Sequence, residues 1–148
     1  MIQLMNDITK YGSIIAESDN SELSRIRDFV AINAVKFGFA EDISQKIALA
    51  VDEACSNLIK HAYKLDNSKK IWINIEKQSD EFVVRIIDEG NPFDPLQVPE
   101  QDMPKYFKKF SRGGLGIQIM RLVMDKINYF PSSTGNPQNI LELRKVLN

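Results

Sequence analysis

Cysteine is nearly absent from this chain. Cys55 is the only one in 148 residues, which excludes an internal disulfide and a cysteine-based zinc cluster. No apolar run approaches the ~20 residues of a membrane span. The opening Met1-Ile2-Gln3-Leu4-Met5-Asn6-Asp7 lacks the basic and long apolar regions of a signal peptide. A cytoplasmic address with no membrane partner is therefore expected. Neither sign of charge dominates: the net charge is -1, so nothing global directs the chain to nucleic acid. The basic run Lys105-Tyr106-Phe107-Lys108-Lys109 reads as a solvated patch. Repeats and low-complexity segments are missing, as are G-x-x-x-x-G-K-[ST] and G-x-G-x-x-G, so P-loop and Rossmann readings have no support. What remains is ordinary globular composition, 43% hydrophobic and 26% charged, in a length that suits one domain with a sizeable core, residues 1–148.

The hydrophobic pattern predicts alternating helices and strands. Residues 11–18, with Ile14-Ile15, read as a short strand. A turn at Asp19-Asn20 caps a helix to about Phe37 with Leu23, Ile26, Phe29, Val30 and Ala34 on its apolar face, and Gly38 ends it. A second helix runs over about 42–63, its apolar residues Ile43, Ile47, Ala50, Val51, Ala54, Leu58 and Ala62 at helical spacing. Residues 71–76 and 81–88 are β-rich and separated by Lys77-Gln78-Ser79-Asp80, a hairpin signal. Residues 91–111 carry four prolines and no periodicity, and a loop that long in a compact domain is functional or disordered. A third helix over 115–125, with Ile119, Leu122 and Val123 buried, precedes the turn Pro131-Ser132-Ser133-Thr134-Gly135 and a last strand over 140–146. The sum is an α+β fold with helices on one face of a largely antiparallel sheet.

Three short motifs carry the chemistry. In Val51-Asp52-Glu53-Ala54-Cys55-Ser56-Asn57, Glu53 and Asn57 stand at i, i+4 and share one helix face, a stripe that His61 extends. An amide oxygen at Asn57 suits Mg²⁺, a hard cation that prefers oxygen ligands. Glu53 then suits a base that takes a proton from an attacking hydroxyl or water. The same spacing also fits the solvated side of an amphipathic helix. Asp88 ends the strand Phe82-Val83-Val84-Arg85-Ile86-Ile87, where a carboxylate can accept the exocyclic amino group of adenine. Gly90 would let backbone approach the base without a Cβ clash. A strand-ending Asp with a turn glycine is the plainer account of that tripeptide. Gly113-Gly114-Leu115-Gly116 opens a helix whose free N–H groups form a phosphate site, and Arg112 adds a cation suited to a γ-phosphate. Clustered glycines are also often only a loop. The three together, in that order, suit a site for ATP and phosphate transfer.

At these residues the sequence resembles the GHKL ATPase superfamily, and within it the small anti-sigma-factor serine kinases of the RsbW/SpoIIAB type. The stretch Ile47-Ala48-Leu49-Ala50-Val51-Asp52-Glu53-Ala54-Cys55-Ser56-Asn57-Leu58-Ile59-Lys60-His61-Ala62-Tyr63 is similar to the family's N box. Asp88-Glu89-Gly90 with Pro92-Phe93-Asp94 resembles its G1 box. Gly113-Gly114-Leu115-Gly116-Ile117-Gln118-Ile119-Met120, with Met124-Asp125 downstream, resembles its G2 box. The resemblance implies a Bergerat-type two-layer α/β sandwich. It makes Glu53 the general base, Asn57 the Mg²⁺ ligand, Asp88 the adenine-binding acid with Gly90 beside it, and Arg112 the γ-phosphate contact. It also makes residues 91–111 a lid over the phosphates. As partners it implies a serine-bearing STAS-domain antagonist to be phosphorylated, a sigma factor or similar regulator to be sequestered, and a second copy in a homodimer.

One departure stands out. Where relatives tend to carry Gly-Thr-Thr on the last strand, with a threonine helping to hold adenine, this chain has Asn139-Ile140-Leu141, and Asn139 offers a similar hydrogen bond. The only histidine, His61, lies in the N-box helix with no phosphoacceptor helix upstream, which disfavours a histidine kinase. Gyrase-like or MutL-like activity needs a transducer domain beyond this length. Two alternatives remain: a non-catalytic nucleotide-sensing adaptor, which needs neither Glu53 nor Arg112, and a slow ATPase without protein substrate.

Overall fold

A computed structural model describes residues 8–97 and 115–147. Five strands form one sheet: β1 (Ile8–Glu17), β2 (Lys70–Gln78), β3 (Glu81–Asp88), β4 (Lys126–Phe130) and β5 (Asn139–Val146). Their order is β1-β2-β3-β5-β4, with every neighbouring pair antiparallel. Helices α1 (Leu23–Phe37), α2 (Glu41–Asn57) and α3 (Leu115–Val123) pack on one face. The expected fold class, α+β with helices on one side of an antiparallel sheet, is what is found.

Period-two patterning explains the sheet. In β2, Ile71, Ile73 and Ile75 are fully buried beneath the helices, while Trp72, Asn74 and Glu76 turn to the other face. Burying each of those isoleucines stabilises the fold by roughly 1.5–3 kcal/mol. The β2–β3 hairpin closes through Ser79-Asp80, tighter than the four-residue turn expected, because Gln78 already pairs with Glu81. Ser79 takes the left-handed conformation (φ 56°) that such two-residue turns demand. Before α1, the Asp19 carboxylate accepts the Ser21 N–H at 3.0 Å, capping a short 3₁₀ turn (Asn20–Glu22) that leads into the helix. Gly38 ends α1 at φ 128°, its N–H donating to the Ala34 and Val35 carbonyls.

Three local expectations need correcting. The second helix does not run on as α to residue 63: after Asn57 it widens into a π-turn, Leu58–Ala62. Helix α3 buries Ile117 and Met120, and Met124 just beyond its end, whereas Leu122 is 80% exposed. The buried residues follow i, i+3, i+7 spacing, which places Leu122 on the far side. The chain between 126 and 130 is also a strand, β4, with Ile127 and Tyr129 turned to the core side.

Candidate functional site

The site is assembled where α2, the end of β3, β5 and α3 converge. α2 brings Glu53 and Asn57 there on one face. Asp52, the neighbour of Glu53, is ion-paired to Arg27 of α1 at 2.8 Å, which fixes the rotation of α2 against α1. Glu53 is half-buried, and its carboxyl is pushed above the usual range by loss of solvent and then by the Asp52 charge. One turn on, the Asn57 side-chain amide nitrogen is buried with no hydrogen-bond partner among the described residues. Burial pushes the Cys55 thiol up, which leaves it a packing residue rather than a nucleophile.

The π-turn then shapes the site's rim. Tyr63 N–H reaches back to the Leu58 carbonyl at 3.0 Å, and the Ala62 carbonyl is left to accept the Asn91 N–H at 3.0 Å. Tyr63 Oη accepts the Glu89 N–H at 2.8 Å and donates to the Lys70 carbonyl at 2.6 Å. Burial raises this phenol to about 12, so it stays a donor. The turn after β3 is thus bolted to the end of the N-box helix.

Asp88 is 5% exposed. Its Oδ1 accepts the Gly90 N–H at 2.8 Å and the Asn139 side-chain amide at 2.9 Å. Desolvation raises its proton affinity, and those two donors oppose the rise. Asn139, fully buried, also donates to the Gly90 carbonyl at 2.9 Å, while its Oδ1 accepts the Ser132 N–H at 2.7 Å. Both amide hydrogens are therefore committed to protein. The expected hydrogen bond from Asn139 to a base gives way to a different job, fixing Asp88. Sequence reading missed this clamp because its signal is non-local: Asp88 and Asn139 are register partners on β3 and β5.

The reason for glycine at position 90 is likewise internal. A Cβ there would lie 2.6 Å from the Ala62 carbonyl oxygen and 2.8 Å from its carbon. Gly90→Ala is expected to lower stability by about 1–3 kcal/mol through overpacking against backbone, measurable in a denaturant melt. An unchanged melt would mean that the turn shifts freely.

Between these groups lies a narrow pocket lined by Asn57, Leu58, Asp88, Phe93, Met120 and Leu141 among others. Phe93 is held by its N–H to Tyr129 Oη at 3.0 Å and by stacking on His61 at 4.5 Å. Apolar walls with a single buried acid suit a flat heteroaromatic ring that donates one hydrogen bond. The unpaired Asn57 amide suits a polar ligand group beside it, its oxygen and nitrogen being interchangeable by a flip. The residues present therefore fit an adenine nucleotide with Mg²⁺. Leu115 and Gly116 stand in the first turn of α3. Arg112, Gly113, Gly114, the basic run 105–109 and residues 98–111 of the expected lid lie outside the described residues.

The site is a buried acid beneath helix α2 on an antiparallel sheet, in an α+β fold. The family model for the histidine kinase-like ATPase domain matches residues 16–145, and the chain belongs to that family. Serine-protein kinase RsbW of Bacillus subtilis (strain 168) is 33% identical over 99 residues, 64% of this chain and 61% of that protein. Serine-protein kinase RsbW of Bacillus thuringiensis subsp. konkukian is 32% identical over 106 residues, 69% and 66% of the two chains. The chain thus spans less than two thirds of the length of these relatives. Among solved structures, the SiaB-SiaC complex from Pseudomonas aeruginosa superposes with a TM-score of 0.64 at 13% identity, covering 99% of this chain and 94% of that one. A histidine kinase domain from Erythrobacter litoralis EL346 gives 0.53 at 18%, covering 98% and 69%. The resemblance to GHKL ATPases read from the three motifs is borne out. Among the described residues, no helix is long and apolar enough to cross a membrane.

Proposed function

We propose that the protein is an ATP-dependent serine/threonine protein kinase of the anti-sigma type. It phosphorylates a STAS-domain antagonist and sequesters a sigma factor or similar regulator. The observation that carries this reading is the juxtaposition in one cavity of a clamped, buried Asp88 with the unpaired Asn57 amide, one turn from Glu53. The names of the RsbW relatives support it.

Asp88 accepts the exocyclic amino group of adenine, and the Asn57 amide oxygen holds Mg²⁺. The N–H groups of Gly113, Gly114, Leu115 and Gly116 bind phosphate oxygens, with Arg112 as the cation facing the γ-phosphate. Bound Mg²⁺-ATP supplies the phosphoryl group and the metal charge that neutralises it in transfer. Glu53 takes the proton of the attacking hydroxyl. Its raised proton affinity brings it nearer to the operating pH, which makes it a better base than an ordinary exposed glutamate.

Purified protein incubated with radiolabelled ATP and STAS-domain proteins is expected to place label on a protein serine or threonine. No turnover would identify an adaptor, and free phosphate alone an ATPase without protein substrate. Either result would overturn the kinase reading.

A further inference from the structure

A trough runs through the helix layer between α2 and α3. Ile43, Lys46 and Leu49 of α2 line one side, Ile119, Leu122 and Val123 of α3 the other, and Lys145 of β5 joins them. Ile43, Ile119 and Val123 are half-buried against the core and make its floor, whereas Leu49 and Leu122 stand exposed along it. Leu122, which helical periodicity placed inside, is the most exposed large apolar side chain among the described residues. The trough measures about 410 Å³, within the ~300–1,000 Å³ of ligand sites.

Its charge is of one sign. No acid stands among the lining residues. Lys145 commits one N–H to the Val123 carbonyl at 2.8 Å, at the end of α3, and keeps two donors. Lys46 is exposed and has no ion-pair partner among the described residues. Two cations beside an apolar floor attract an apolar segment that carries acidic side chains and repel a basic one.

The trough also leads to the site. The two helices flank the nucleotide pocket at one end, through Asn57 and Met120, and the trough at the other, through Ile43 and Val123. Lys46 precedes Glu53 by two helical turns less ~20°, so both lie on one line of α2, about 10 Å apart. Leu122 stands at the same distance along α3 from Leu115, where that helix opens. We infer that the trough is the docking groove for the protein substrate, holding an apolar, acidic segment next to the hydroxyl that Glu53 deprotonates. About 10 Å is about three residues of extended chain, so the acid that meets Lys46 stands about three residues from the phosphorylated serine or threonine. That the occupant is a substrate rests on the kinase reading. The preference for an acidic, apolar chain rests on the groove alone.

The probe is a fluorescent synthetic peptide with leucines and glutamates around one serine, paired with a twin that has lysine for every glutamate. Anisotropy with the full chain, without ATP, is expected to show the acidic peptide bound about tenfold or more tightly than its twin. Lys46→Glu should invert that order, and Leu122→Asp should weaken the acidic peptide about tenfold. Both side chains are exposed, so each variant should melt cooperatively and keep its ATP affinity by calorimetry. Equal or absent binding of the twins, or a folded Lys46→Glu protein that keeps the original order, would overturn the inference. Label transfer to STAS-domain proteins is read separately. There Lys46→Glu and Leu122→Asp should raise KM for the protein substrate and leave kcat unchanged. Peptides that sort as expected while no protein takes label would sink the kinase reading and keep the groove. Transfer with KM unmoved in both variants would sink the groove and keep the kinase.

Discussion

Glu53→Gln is expected to slow phosphoryl transfer to protein by about 10²–10⁴-fold, the usual share of a positioned base, while ATP affinity stays nearly unchanged. The amide matches the carboxylate in shape and keeps α2 intact. The Arg27–Asp52 ion pair that orients the helix is untouched. What is lost is the capacity to take a proton. In the unaltered protein that capacity is lost instead by acidification. Loss of solvent and the neighbouring Asp52 hold the Glu53 carboxyl above the ordinary range, so the acid limb of the rate profile should lie above that of an exposed glutamate. The active form is the deprotonated one, so the rate falls as pH drops through that value. Single-turnover label transfer measured across pH, for both proteins, checks both statements. A glutamine variant with the original rate would remove Glu53 from the proton transfer.

The elements legible in the sequence were those whose signal is local. Helices α1 and α2 follow from 3.6-residue periodicity with an Asp19 cap and a Gly38 stop, and β2 from strict alternation around Ile71, Ile73 and Ile75. β4 did not show. It is a five-residue edge strand following directly on α3, and its register comes from pairing with β5 across the intervening turn. Leu122 was misplaced because a nine-residue helix offers few turns from which to fix its phase. For the site, the i, i+4 relation of Glu53 and Asn57 could be read directly. The Asn139 clamp on Asp88 and the contact of Gly90 with the Ala62 carbonyl could not, since both join residues far apart in the chain through sheet register and a π-turn.

Asp88→Asn is expected to weaken ATP binding by about 10²-fold, near 2.7 kcal/mol, the scale of a lost charge-assisted bond in a dry site. The geometry leaves asparagine no good orientation. If its oxygen accepts the Gly90 and Asn139 donors, its NH₂ group takes the other carboxylate position and opposes the adenine amino group. If it flips, its NH₂ faces two N–H donors. Asn139→Ala tests the clamp separately. It leaves the Gly90 carbonyl and the Ser132 N–H without their side-chain partner and takes one donor from Asp88, so stability should fall by about 2–3 kcal/mol. ATP affinity should fall less than in Asp88→Asn, because the acid itself remains. If the two residues act as one unit, the double variant should bind ATP no more weakly than Asp88→Asn alone, the non-additivity expected of groups in direct contact. Calorimetric titration of the three folded variants decides it. Unchanged affinity in Asp88→Asn would take the base-recognition role from this carboxylate, and full additivity would make Asn139 a scaffold residue with no part in positioning it.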